Sequence, residues 1–426
     1  MSLDRAFQLA TSNLRFGRGI THEVGQDLAD LRVRRTLVLI DPHVHHTATG
    51  ATVRQSLDDA GLEYEIYDRI RVEPTDVTFR EAAKHAQTGD FDGFLAVGGG
   101  STIDTAKAAN LYSTYPPADF LDYINAPVGR GLPVPGPLKP LIAIPTTAGT
   151  GSETTGVAIC DLADRHVKTG IAHRSLKPLL GIVDPENTRT QPGAVAASTG
   201  LDVLSHALES YTALPYDQRP APERPSLRPA YQGSNPLSDI WALKALEIVA
   251  EYLPRAAKDP TDDEARWQMM LAASMAGMGF GNAGVHLPHG MSYPVAGKVK
   301  TFRPSGYETV HPLIPHGISV ILNTPAVVRF TAPTSPERHL RGAAALGADV
   351  SRAHPADAGK ILADRLLEIM QLLGVPNGLS AVGYTSADIP VLVEGTLPQH
   401  RVTKLSPRPA GPEDLAHLFE ESLSLW

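Results

Sequence analysis

The most constraining feature of this chain is a pair of apolar strands that each end in a turn and lead into helix-like sequence. TLVLID, from Thr36, is a short buried strand that ends in an acid, and FDGFLAVGGGST, from Phe91, is another that ends in three glycines. Between them, VRQSLDDAGLEYEIYD reads as a helix followed by a strand over Tyr64 to Tyr67. Strands that alternate with helices pair in parallel, since the helix is the crossover that returns the chain to the same end of the sheet. PLIAIP, from Pro140 to Pro145, and GIVDP, from Gly181 to Pro185, extend the series, and after Pro192 the strand signals stop. Helices are expected from Ala194 to Tyr211, after Asn235 as N-cap with Pro236 in the first turn, over Glu264 to Phe280, from Ala358 to a stop at Gly374, and at the C-terminus. The expected architecture is an α/β N-terminal domain with a parallel sheet over residues 1–190, then an all-α domain over 191–426.

Composition narrows the class. A chain of 426 residues exceeds what one core needs, and 42% hydrophobic residues are too many for general disorder. The net charge of −8 repels phosphate backbones and anionic lipid, so neither nucleic acid nor a membrane surface is expected as a partner. No apolar run approaches the roughly 20 residues of a spanning helix, and the first residues carry charged and polar side chains; a soluble, cytoplasmic protein is expected. The single cysteine, Cys160, excludes an internal disulfide or a thiolate zinc cluster. Any metal site must use histidine and carboxylate.

GGGSTID, Gly98 to Asp104, stands between a strand and a helix-like run, where open backbone N–H groups and the helix dipole favour a pyrophosphate. Its spacing is not the usual dinucleotide fingerprint, and the same residues serve equally as a plain strand-to-helix turn. Asp41, at the end of TLVLI, is placed to accept from a ribose diol and to repel a 2′-phosphate, which prefers NAD over NADP; it also suits a turn or helix cap before Pro42. PTTAGTGSET is a hydroxyl-rich loop of the kind that wraps phosphate or nicotinamide amide groups.

TGLDVLSHALESY puts Asp202 and His206 four apart on a helix, on one face. NAGVHLPHGMSYP adds His286 and His289, and HPLIPHGISV adds His311 and His316. Three histidines with one carboxylate suit a catalytic Fe(II) or Zn(II) ion, which ligand softness does not separate. His43, His45 and His46 read as a solvated loop.

GGGSTIDTAK, IPTTAGTGSE, GLDVLSHALE and the PHG of Pro315 to Gly317 occur in the order found in one family, and the chain resembles the iron-dependent (group III) alcohol dehydrogenases over nearly its full length. SYTALPYDQRP, RPAYQGSNPLSDIWA, GFGNAGVHLPHGMSYPVAG and GTLPQHRVTKL are similar to stretches of its hydroxyacid-oxoacid transhydrogenase branch. The resemblance implies a dinucleotide-binding N-terminal domain, an all-helical C-terminal domain, and a cleft holding metal and nicotinamide. It carries the metal ligands to Asp202, His206, His289 and His316. It carries the NAD contacts to Asp41, Gly98, Gly99, Gly100, Ser101, Asp104, Thr146, Thr147, Ser152 and Lys168. Where many members have a further histidine that relays a proton, this chain has Tyr293, which leaves Tyr293 and His286 as competing carriers.

The expected activity is hydride transfer between small hydroxy acids and oxo acids through bound NAD, of the 4-hydroxybutyrate/2-oxoglutarate type. Its rivals are a dehydrogenase with exchangeable NAD and a lyase resembling dehydroquinate synthase. A homo-oligomer is expected. Between His289 and His316 the chain carries Lys298, Lys300 and Arg303; Arg303 is the candidate for the substrate's carboxylate, because a guanidinium pairs with it bidentately.

Overall fold

The computed structural model describes residues 2–165, 167–309 and 311–426. The chain divides into two compact units, Ala10–Gln191 and Met1–Leu9 with Pro192–Trp426.

The Ala10–Gln191 unit contains strands β1 (Asn13–Phe16), β2 (Arg35–Ile40), β3 (Glu63–Tyr67), β4 (Gly93–Gly98), β5 (Leu141–Pro145), β6 (Val157–Leu162), β7 (Val167–Ala172) and β8 (Leu180–Val183). Its main helices are α1 (Val24–Asp30), α2 (Pro42–His45), α3 (Ala48–Asp59), α4 (Asp76–Thr88) and α5 (Gly100–Thr114). Six strands form a sheet in the order β1-β8-β5-β4-β2-β3, every pair parallel. The central strands read as unbroken apolar runs because both faces of the sheet are covered. Leu37, Leu39, Phe94 and Ala96 join one core with Ala82 and Ala86 of α4 and Ile103, Ala106 and Ala109 of α5. Val38, Ile40, Leu95 and Val97 point the other way, into a core with Val24 and Leu28 of α1 and Val53 and Leu57 of α3. Each large apolar side chain buried this way contributes about 1.5–3 kcal/mol. The antiparallel hairpin of β6 and β7 lies outside the parallel series expected from sequence. Most of its residues are buried with no clean period of two, so alternation gives no signal there.

The second unit is helical: α6 (Gly193–Thr212), α7 (Pro236–Lys258), α8 (Asp263–Ala283), α9 (Leu287–Gly297), α10 (His316–Ile321), α11 (Thr324–Thr331), α12 (Pro336–Ala345), α13 (Ala358–Leu372), α14 (Ile389–Thr396), α15 (His400–Thr403) and α16 (Pro412–Ser422). Start signals act as read: Asn235 accepts from Ser238 N at 3.0 Å with Pro236 in the first turn, and Gly374, at φ +68°, follows α13. Residues 2–9 group with this unit and not with the sheet. Asp4 is the physical reason, because its buried carboxylate pairs with Arg219 at 2.6 Å and Arg228 at 3.0 Å. Among the described residues no helix is long and apolar enough to cross a membrane.

Candidate functional site

In the sheet unit the chain passes from β2 to β3 on one side, and β4 pairs with β2 on the other. The carboxyl ends of β2 and β4 therefore flank a topological switch point, where open α/β sheets bind ligands. Asp41 and the Gly98–Gly100 turn meet there: Asp41 N donates to Val97 O at 3.0 Å. Asp41 caps α2, its Oδ1 accepting from His43 N at 2.9 Å and Val44 N at 3.3 Å. DPHVHH is thus a helical turn where a loop was expected, with the rings of His45 and His46 stacked at 4.8 Å.

The N-cap of α5 is Gly99 and no side chain caps it, so its first turn presents amides to an acceptor, as a phosphate requires. The hydroxyl-rich loop packs directly on this turn: Thr146 N donates to Gly98 O at 3.1 Å, and a Cβ on Gly100 would lie 2.5 Å from Thr150 Cγ2. Gly98, Gly99, Gly100, Ser101, Thr146 and Thr147 are thereby brought together beside Asp41. Asp104, Ser152 and Lys168 are instead engaged by the chain itself. Lys107 Nζ donates to Ser152 Oγ at 2.6 Å and Val157 O at 2.8 Å; Ser152 Oγ donates to Asp104 Oδ1 at 2.6 Å, and Ile159 N to Asp104 Oδ2 at 2.9 Å. Burial lowers the Lys107 ammonium to about 8, against the opposing charges of Asp104 and Glu153. Lys168 is held by Glu73 and by Asp161, the latter at 3.4 Å. Burial opposes its charge, and the two carboxylates outweigh burial to raise it above the ordinary lysine range.

In the helical unit Asp202 and His206 project from α6, His289 from the first turn of α9, and His316 opens α10. Asp202 Oδ1 lies 3.6 Å from His206 Nε2, 3.6 Å from His289 Nε2 and 3.7 Å from His316 Nε2. All four ligand atoms lie within 4.8 Å of one another. Ligands at 2.0–2.2 Å from a tetrahedral ion stand about 3.4 Å apart, so this spacing suits one ion. Asp202 Oδ1 and His289 Nε2 are buried and have no hydrogen-bond partner, a costly arrangement that a cation would satisfy. His316 reaches the others because Gly317 lets α10 approach α6 closely: a Cβ there would lie 1.9 Å from Ser198 O.

Glu209, absent from the expected ligands, organises the cluster. Its Oε1 is 2.5 Å from His289 Nδ1, and its Oε2 accepts from His286 N at 2.6 Å. A carboxylate at Nδ1 holds the proton there and leaves Nε2 as the lone pair for an ion. The signal was present in GLDVLSHALE: Glu209 lies three residues after His206 and seven after Asp202, on one helical face. Phe280 stacks on His206 at a centroid distance of 3.9 Å. Burial drives His206 to about 3 despite Asp202, so its imidazole is neutral, as a ligand must be. Burial also opposes charge on His289, but Glu209 and Asp202 outweigh it and push His289 up to about 10.

The remaining candidates separate. His286 precedes α9 instead of lying in it, and its Nε2 is 3.0 Å from Thr212 Oγ1. The helical approach to the ligand face that would make it a proton carrier is not made. Tyr293 lies one turn after His289 on α9, and its hydroxyl accepts from Arg401 Nη2 at 3.1 Å. His311 bonds with Thr309 and stands apart from the four ligands. Arg303 is exposed and donates to Thr309 O within its own loop at 3.2 Å, while Lys300 pairs with Asp388 at 2.7 Å.

Known proteins resemble the whole chain. It is 58% identical over 424 residues to the mitochondrial hydroxyacid-oxoacid transhydrogenase of Bos taurus, covering 99% of this chain and 91% of that one. It is 56% identical to the Homo sapiens protein of the same name at the same coverage, and 53% identical to the probable one of Dictyostelium discoideum, covering 80% of the latter. Among solved structures, an iron-containing alcohol dehydrogenase from Thermococcus thioreducens matches with a TM-score of 0.80 at 28% identity, covering 98% of this chain and 99% of that one. A 1,3-propanediol oxidoreductase matches with a TM-score of 0.85 at 25% identity, covering 98% and 100%. The expected cytoplasmic location is corrected by the three transhydrogenase relatives, each named a mitochondrial protein. Net charge does not distinguish one compartment from another. The model of iron-containing alcohol dehydrogenase matches residues 11–185, and that of the Fe-containing alcohol dehydrogenase family's C-terminal part matches residues 230–423. With both family models and near-full-length relatives matching, the chain belongs to the iron-containing alcohol dehydrogenase family.

Proposed function

We propose that the chain is a hydroxyacid-oxoacid transhydrogenase that moves a hydride from a small hydroxy acid, such as 4-hydroxybutyrate, to an oxo acid, such as 2-oxoglutarate, through an NAD that stays bound. The observation that carries this reading is the buried Asp202/His206/His289/His316 cluster, with its unpartnered Asp202 Oδ1 and His289 Nε2, in a chain more than half identical to such enzymes over nearly its whole length. Fe(II) is the proposed ion, on the strength of the family; Zn(II) suits the same donor set. When bound, the ion supplies a Lewis acid that lowers the proton affinity of an alcohol oxygen, and the nicotinamide supplies the hydride acceptor.

The chain's own residues have separate tasks in this reading. Asp202, His206, His289 and His316 hold the ion, Glu209 fixes the His289 tautomer, and Phe280 walls His206 from water. Asp41, the Gly98–Ser101 turn, Thr146 and Thr147 hold the nucleotide; Asp104 and Ser152 set the loop on which the last two stand, and Lys168 braces β7 beside it. Tyr293, one turn from His289, carries the carbinol proton, since His286 is turned to Thr212. Hydride and proton leave one substrate and return to the other, so no net oxidant is consumed. A homo-oligomer is part of the proposal.

Purified protein incubated with a hydroxy acid and an oxo acid should form both products without added NAD and release no free NADH. Strict dependence on added NAD, with free NADH accumulating, would replace this reading with an ordinary dehydrogenase. Metal analysis of active protein decides iron against zinc.

A further inference from the structure

Arg401 is a cation without a counter-charge. Its Nη2 donates to Tyr293 Oη at 3.1 Å, its Cζ lies 4.9 Å from the centre of the Tyr231 ring, and its Nη1 is closed off from solvent with no hydrogen-bond partner. Other arginines of the helical unit are treated differently: Arg219 pairs with Asp4 at 2.6 Å and Arg338 with Asp239 at 2.7 Å. Among the described residues no acid pairs with Arg401. The ammonium of Lys404 is lowered, first by desolvation and then by the charges of Arg401 and Arg219, so positive charge gathers here. Arg401 as a whole is part-buried, but withdrawing its Nη1 edge from water without a partner is expensive unless something else supplies the anion.

Two independent routes tie this cation to the ligand cluster. Tyr293, which Arg401 touches, stands four residues after ligand His289, about 6 Å along the same helix. Tyr231, which Arg401 overlies, meets Phe280 edge-on at 6.4 Å, and Phe280 stacks on ligand His206 at 3.9 Å. We propose that Arg401 is the receptor for the carboxylate of the substrate acids, with the Nη1 edge of its fork taking the carboxylate while the reacting oxygen of the same molecule lies toward Asp202 and the three histidines. This rests on the proposed transhydrogenase reading for its substrates. It assigns to α15 the role expected of the Arg303 loop. It also gives a physical basis for preferring acids: an uncharged alcohol leaves the shielded edge of the guanidinium unpaired, and a site built around a charged partner rejects an analogue that lacks it.

The test is calorimetric binding of glutarate, an unreactive diacid, to the metal-loaded protein, together with kcat/KM for 4-hydroxybutyrate and for 1-butanol. Arg401→Met should weaken glutarate binding about 100-fold, the equivalent of losing charge-assisted hydrogen bonds, and lower kcat/KM for the acid in parallel, with metal content unchanged; kcat/KM for 1-butanol also falls through the lost bond to Tyr293, but at least about tenfold less than that for the acid. Should that variant fail to fold, Arg401→Lys keeps a cation over Tyr231 and should still raise the acid's KM about tenfold through loss of the fork. Unchanged glutarate affinity, no glutarate binding by the wild type, or equal losses for acid and alcohol would overturn the proposal. A wild type that binds glutarate through Arg401 yet exchanges no hydride between acids would sink the proposed reaction and leave the receptor standing. Hydride exchange indifferent to Arg401→Met would do the reverse.

Discussion

Glu209→Gln tests how the cluster is organised without changing a ligand. The side chain keeps its shape but loses its charge, and one of its two oxygens becomes an amide that only donates. In the structure both oxygens accept, from His289 Nδ1 at 2.5 Å and from His286 N at 2.6 Å, so either orientation of the amide sets donor against donor at one of them. If the carbonyl stays on His289, a charge-assisted bond of about 1.5–3 kcal/mol becomes a neutral one of about 0.5–1.5 kcal/mol. If the NH2 faces Nδ1, the imidazole proton moves to Nε2 and the lone pair meant for the ion is lost. Either way metal affinity should fall about 10- to 100-fold. Competition between the metal-free variant and a chromophoric chelator measures this directly, with a melting curve as control for the fold. Affinity within twofold of wild type would refute the reasoning even if the melting temperature dropped, since that pattern is what a purely structural carboxylate predicts.

Gly317→Ala sets a Cβ 1.9 Å from Ser198 O, so α10 must shift and carry His316 away; metal content should fall at least tenfold with the helical content retained, and full occupancy would contradict the close-approach argument. Asp41→Ala removes both the cap of α2, worth about 1 kcal/mol, and the charge that repels a 2′-phosphate, so the melting temperature should drop slightly and NADP should gain on NAD; an unchanged preference leaves Asp41 as a cap alone. Tyr293→Phe should lower kcat strongly with metal retained if the hydroxyl carries the proton, whereas a rise only in the KM for acids would limit its role to holding Arg401. Arg303→Ala should leave the KM for acids within about twofold, because its fork serves the Thr309 carbonyl in an exposed loop; a large rise would restore it as a substrate ligand.

Local patterns and a family resemblance were enough for the parallel strands β2, β3, β4, β5 and β8, the change of class after Pro192, and the three histidines that meet at Asp202 Oδ1. These are legible because burial on both sheet faces writes continuous apolar runs, caps write Asn-Pro and Gly, and a ligand pair on one helix writes a spacing of four. Tertiary structure decided what each charged residue faces. Arg303 and Arg401 are both arginines in ordinary polar stretches, yet one is exposed on its own loop and the other is part-buried, with its guanidinium against Tyr231 and Tyr293. Asp4 joins the helical unit through Arg219 and Arg228, more than two hundred residues away, and Lys107 reaches across to Ser152 and Val157. A charge is accepted in the interior only where partners from distant segments converge on it, and local sequence carries no record of that convergence.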